Sequence, residues 1–120
     1  MKSLLYVMMA AFLSTGCSNR YNSVDAQLFA EAISNPQMQI VDVRTAQEFG
    51  QGHIPGAVNI DINSKDFTEK SRILDITRPV AVYCRSGRRS KIASDKLVRM
   101  GFEVTELDGG FISWEGEIIK

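Results

Sequence analysis

Apolar residues recur with helical spacing over residues 24–34, where Leu28, Phe29, Ala32 and Ile33 fall on one face. Ser23 is the expected N-cap of that helix. Asn35-Pro36 ends it, because a residue before proline is driven out of the helical region. Gln39-Ile40-Val41-Asp42-Val43 is a short β-branched run and predicts a strand. Thr45 caps a brief helix through Phe49, and Arg44 and Glu48 stand at the i, i+4 spacing suited to pairing. Residues 50–56 hold three glycines and a proline and read as a loop. Ala57-Val58-Asn59-Ile60 predicts a second strand, and Ser64 caps a short helix through Lys70. Pro79-Val80-Ala81-Val82-Tyr83-Cys84 is a buried strand that ends in the cysteine. A polar loop, residues 85–89, leads to a helix from near Ser90 with Ile92, Ala93, Leu97, Val98 and Met100 as its apolar stripe. Gly101 stops it. Residues 103–107 form the next strand, Asp108-Gly109-Gly110 a turn, and Phe111 opens a last short helix that reaches Trp114. Strands alternating with helices imply a parallel α/β sheet.

A chain of 120 residues makes one domain. Its formal charge is zero, so no global field argues for a nucleic-acid partner. Two cysteines, Cys17 and Cys84, and a single histidine, His53, exclude a Cys/His zinc site, and no metal or cofactor is expected.

The first residues read as an address. Lys2 gives a positive start, and the run from Leu4 to Leu13 is ten residues without a charge. A helix needs about 20 apolar residues to span a bilayer, so this run suits the apolar region of a secretory signal instead. Ser14-Thr15-Gly16 leads up to Cys17. The pattern resembles the bacterial lipoprotein signal. That resemblance implies a signal over residues 1–16, a lipid on Cys17, a tether over residues 17–22 and a domain over residues 23–120. It also implies a bacterial cell envelope location, lipid-anchored to the membrane and facing the periplasm. With Cys17 acylated, Cys84 is the only free thiol, and sulfur held there must leave to an outside acceptor.

In open parallel sheets, ligands bind beyond the carboxyl ends of the strands, where Cys84 is expected. Arg85-Ser86-Gly87-Arg88-Arg89 follows it. A tight loop entering a helix points backbone N–H groups at one spot, and such nests bind anions. Gly87 permits backbone angles that other residues resist. Arg85, Arg88, Arg89 and Lys91 precede the next acid, Asp95. Together these features favour a thiolate over a thiol.

Three stretches resemble the rhodanese family over most of residues 23–116. They are Asp42-Val43-Arg44 with Glu48-Phe49 and Gly52-His53-Ile54-Pro55-Gly56-Ala57, then residues 84–90, then Leu107-Asp108-Gly109-Gly110 with Trp114. The resemblance implies an α/β fold with a parallel sheet of about five strands flanked by helices on both faces. It implies that Cys84 is the catalytic nucleophile and carries a persulfide, and that Arg85, Ser86, Gly87, Arg88 and Arg89 bind the substrate. The partners it implies are a small anionic sulfur donor such as thiosulfate and a thiophilic acceptor: cyanide, a small thiol or a thioredoxin-like protein. Phosphatases and arsenate reductases of this fold use a Cys-x5-Arg loop, one residue longer than the count from Cys84 to Arg89, and stand as the alternative enzymes. A non-catalytic sulfur carrier or binding module is the other alternative. Arg44, Glu48, Asp42, His53 and Trp114 are read as structural.

Overall fold

A computed structural model describes residues 20–120. The expected signal and Cys17 lie outside the described residues. The elements are β1 (Asn22–Val24), α1 (Ala26–Ile33), β2 (Gln39–Asp42), α2 (Ala46–Gly50), β3 (Val58–Asn59) and α3 (Phe67–Lys70), which runs into a 3-10 turn (Ser71–Ile73). Then follow β4 (Val80–Tyr83), α4 (Arg88–Arg99), β5 (Val104–Leu107) and a second 3-10 turn (Phe111–Ser113). The strands form one five-stranded sheet in the order β1-β5-β4-β2-β3, with every neighbouring pair parallel.

Strand β4 occupies the middle and is buried along its whole length. Successive strand residues point to opposite faces. Val80, Val82 and Cys84 therefore join Ala93 and Leu97 of α4 and Phe67 of α3 in one core. Ala81 and Tyr83 join Phe29 of α1, Ile54 and Leu107 in the other. Helices cover both faces, as the resemblance implies. Each fully buried large apolar side chain contributes about 1.5–3 kcal/mol.

Local differences from the sequence reading have simple causes. Ser23 is not a helix cap, because Asn22–Val24 pairs with β5 as an edge strand. Asp25 caps α1 by accepting from the Leu28 N–H at 3.0 Å. Leu28, expected on the buried face, is 51% exposed, while Phe29 is buried. The helix expected from Ser64 begins at Phe67, and the Ser64 hydroxyl bonds Asp66 instead. Helix α4 begins at Arg88, two residues before Ser90, and Ile92 points outward.

Arg44 does not pair with Glu48. Its guanidinium folds back on Asp42, with Nη2 at 2.6 Å from Oδ2 and Nε at 3.0 Å from Oδ1. Nη2 also donates to the Gly52 carbonyl at 2.7 Å, and the group lies 4.3 Å from the Phe111 ring centroid. Both side chains are buried. This pair ties the end of β2 to the loop that carries His53. His53 itself stacks on Phe49 at 3.7 Å and bonds the Phe49 carbonyl, and Trp114 packs edge-on against Phe29 at 6.1 Å. These placements fit structural roles.

Asp42→Asn keeps the shape but leaves Arg44 as a buried, uncompensated charge. The expected loss is about 3–5 kcal/mol, read as a lower denaturant midpoint at unchanged slope.

Candidate active site

Cys84 lies at the carboxyl end of β4, one residue beyond the strand. The chain there makes a loop of only Arg85, Ser86 and Gly87 before α4 begins. Gly87 stands at φ 96°, ψ −2°, a left-handed conformation that glycine alone adopts without strain. That turn aims its N–H at the Cys84 Sγ at 3.1 Å. The Ser90 Oγ lies 3.4 Å from the same sulfur.

Cys84 is 0% exposed. Burial alone would push its thiol up. The Ser90 hydroxyl, when its proton faces the sulfur, and the backbone N–H groups of Ser90, Gly87 and Ser86 act against that, and the thiol lies below its ordinary value. The hydrogen bonds to the sulfur thus come from amides and one hydroxyl, and the Arg89 charge acts on it from further off. Among the described residues no guanidinium hydrogen-bonds the sulfur.

The basic residues divide into two groups. Arg89 makes a two-pronged pair with Glu48, at 2.8 and 3.0 Å. Lys91 binds Asp108 at 2.7 Å and Glu106 at 3.3 Å. Arg85 and Arg88 are exposed, and among the described residues neither has an ion-pair partner. Ser86 is exposed beside them, and Gly87 is buried.

The turn after β5 packs directly behind this loop. A side chain on Gly87 would run into the Asp108 carbonyl, and one on Gly110 would run into the Arg85 carbonyl and the Ser86 nitrogen. Phe111 N donates to the Cys84 carbonyl at 2.8 Å, and Ile112 N to the Arg85 carbonyl at 3.1 Å. The Asp108-Gly109-Gly110 stretch is therefore a backing plate for the sulfur loop. Among the described residues, no group of three His, Cys, Asp or Glu side chains converges as a metal site.

Three polar residues at the site were not assigned from sequence. In the sequence Ser90 marks only the start of the helix after the loop. In the sequence Glu48 reads as the partner of Arg44. Glu106 is a fully buried acid on the same face of β5 as Val104. The period-2 pattern of that strand was the signal for it, since an acid falls where a core residue belongs.

Gly87→Ala should cost more than about 1 kcal/mol, since its φ is positive. It should also move the Cys84 titration midpoint up toward that of a free thiol, followed by alkylation rate against pH. Glu48 carries a pH signature as well. Its hydrogen bond from Arg89 outweighs burial and, with the Thr45 backbone N–H, holds its carboxyl at about 2. A depressed carboxyl stabilises the fold above its unfolded value, about 4.3, and that stability is lost as pH falls toward 2. Glu48→Gln should flatten the fall in thermal midpoint across that window relative to the unaltered protein.

The same architecture occurs in known proteins. Residues 25–117 match the Rhodanese-like domain family. A thiosulfate sulfurtransferase GlpE from Pseudomonas savastanoi is 40% identical over 87 residues, which cover 71% of this chain and 79% of that protein. A rhodanese-related protein from Thermoplasma volcanium superposes with a TM-score of 0.73 at 30% identity, covering 82% of this chain and 98% of that one. A rhodanese with anions from E. coli gives a TM-score of 0.58 at 30% identity, over 69% of this chain and 98% of that one. The fold is thus that of solved rhodaneses, and the loop that cradles Cys84 falls inside the matched region. The chain belongs to the rhodanese-like family.

Proposed function

We propose that this protein moves a sulfane sulfur from an anionic donor such as thiosulfate to a thiophilic acceptor, through a persulfide on Cys84. Relatives named thiosulfate sulfurtransferase support the sulfurtransferase class. The observation that carries the finer reading is the sulfur at the end of β4, receiving the Gly87 N–H at 3.1 Å within a nest of amides. A nest that stabilises a sulfur anion can stabilise it again one atom further out, on a persulfide.

The Cys84 thiolate attacks the outer sulfur of thiosulfate. A new S–S bond forms, the thiosulfate S–S bond breaks, and its electron pair leaves with sulfite. A thiophile (cyanide, a small thiol or a thioredoxin-like protein) then attacks the outer sulfur of the persulfide and returns the thiolate. This is covalent catalysis with ping-pong kinetics. Arg85 and Arg88 draw the anionic donor to the loop, because both are exposed and uncompensated by acids among the described residues. Arg89 is committed to Glu48 and acts on the loop's shape.

The loop favours sulfur over a tetrahedral oxyanion. The position that would complete a Cys-x5-Arg count is Ser90, whose hydroxyl is turned inward to Glu106. We further propose that residues 1–16 are a lipoprotein signal, that Cys17 carries the lipid, and that residues 23–120 work at the envelope membrane facing the periplasm.

Intact mass spectrometry of the protein from bacterial membranes tests the whole reading. Thiosulfate should add one sulfur, about 32 Da, and cyanide should remove it. Cys84→Ser should gain nothing while remaining folded. No gain in the unaltered protein, or hydrolysis of phosphate esters in its place, would sink the proposal. The same spectra report whether residues 1–16 are gone and Cys17 is acylated.

A further inference from the structure

Glu106 is 0% exposed and takes no direct part in the proposed sulfur transfer. A buried carboxylate is costly unless paired and hydrogen-bonded. Its partners come from each element around it. Strand register sets Ser23 of β1 beside it, and the Ser23 hydroxyl lies 2.6 Å from Oε1. From α4, the Ser90 hydroxyl lies 2.5 Å from Oε2 and the Lys91 ammonium 3.3 Å away. Lys91 is shared with Asp108 at the end of β5. Beyond Ser90 lies Cys84 at the end of β4, and Arg89 on the same turn of α4 is held by Glu48.

Ser90 is the link between the two acids. Its hydroxyl has one proton to give and lone pairs to accept with. That proton cannot serve the carboxylate and the sulfur together. Glu106 is the closer, at 2.5 Å against 3.4 Å for Cys84. With the proton on the Glu106 side, Ser90 turns a lone pair to the sulfur. A lone pair accepts from S–H and repels S⁻, so it favours the neutral thiol.

Building on the assignment of Cys84 as the sulfur-carrying nucleophile, we infer that Glu106 is a positioning residue that opposes ionisation of Cys84 by keeping the Ser90 proton away from the sulfur. The amides of the loop pull the thiol down and Glu106 pushes back. The balance has a chemical use. An attacking thiol works best when it titrates near ambient pH, because nucleophilicity falls as the thiol becomes more acidic.

The test is the rate of iodoacetamide alkylation at Cys84 against pH, in the full chain, with Cys84 resolved from Cys17 by peptide mass. It requires no sulfur donor, so it reads Glu106 whether or not thiosulfate is turned over. Glu106→Gln has nearly the same shape, and its amide can donate to the Ser90 oxygen and free the hydroxyl for the sulfur. The midpoint should fall by about one pH unit or more, with a slower limiting rate at high pH. In a Ser90→Ala background the same change should give a much smaller fall. Glu106→Asp keeps the charge but withdraws it from Ser90, and its midpoint should also fall, which guards against a poorly folded Gln variant. A midpoint that stays or rises in both Glu106 variants overturns the inference. So does a fall of equal size with and without Ser90, since the charge would then act directly.

Discussion

A sulfur anion inside a protein survives only while donors point at it, and here most of those donors are backbone N–H groups. Backbone groups are aimed by the path of the chain. The path from Cys84 to Ser90 must turn within three residues, and it does so through one left-handed glycine. The space behind that turn is filled by the Asp108 and Gly110 backbone, at distances that admit no side chain on either glycine. The glycine-rich stretch after β5 and the loop after β4 are thus two halves of one contact. Central placement of β4 then matters because a strand buried on both faces gives the loop a fixed base.

Charge in the upper part of the domain is arranged by distance in space and not by distance along the chain. Arg89 and Lys91 lie next to other basic residues in sequence, but acids from α2 and β5 pair with both. Among the described residues of this region, Arg85 and Arg88 remain as open positive charge at the rim. Further in, Asp42 and Arg44 bridge β2 to the His53 loop, and the Tyr83 hydroxyl accepts from the Ile54 N–H at 3.0 Å to hold the same loop against β4. The polar residues Asp42 and Arg44 thus join β2 to the loop that follows α2.

The sheet, its parallel sense and the place of Cys84 were legible because hydrophobic runs and helical stripes are local patterns. Strand β1 was not. Asn-Ser-Val has no alternation, and what makes it a strand is the free edge of β5, a partner some 80 residues away. Pairing of Arg44 with Glu48 followed helical spacing, but Arg44 precedes the helix, and a bidentate bond to Asp42 with burial beneath Phe111 wins. Glu48 becomes free for Arg89 as a result. Ser90 could be seen only as a neighbour of the loop, because its function depends on which way one hydroxyl faces. The basic cluster was visible as composition, and its neutralisation depends on tertiary contacts.

All five strands run the same way, so the two ends of the sheet are unlike. Chain enters β1 at Asn22 beside Thr105, near the start of β5, while Cys84 stands past the finish of β4. The entry of the described chain into the sheet and the Cys84 sulfur therefore lie at opposite ends of the strands. A hold on the end of the sheet where the strands start would leave the loop around Cys84 facing away from it.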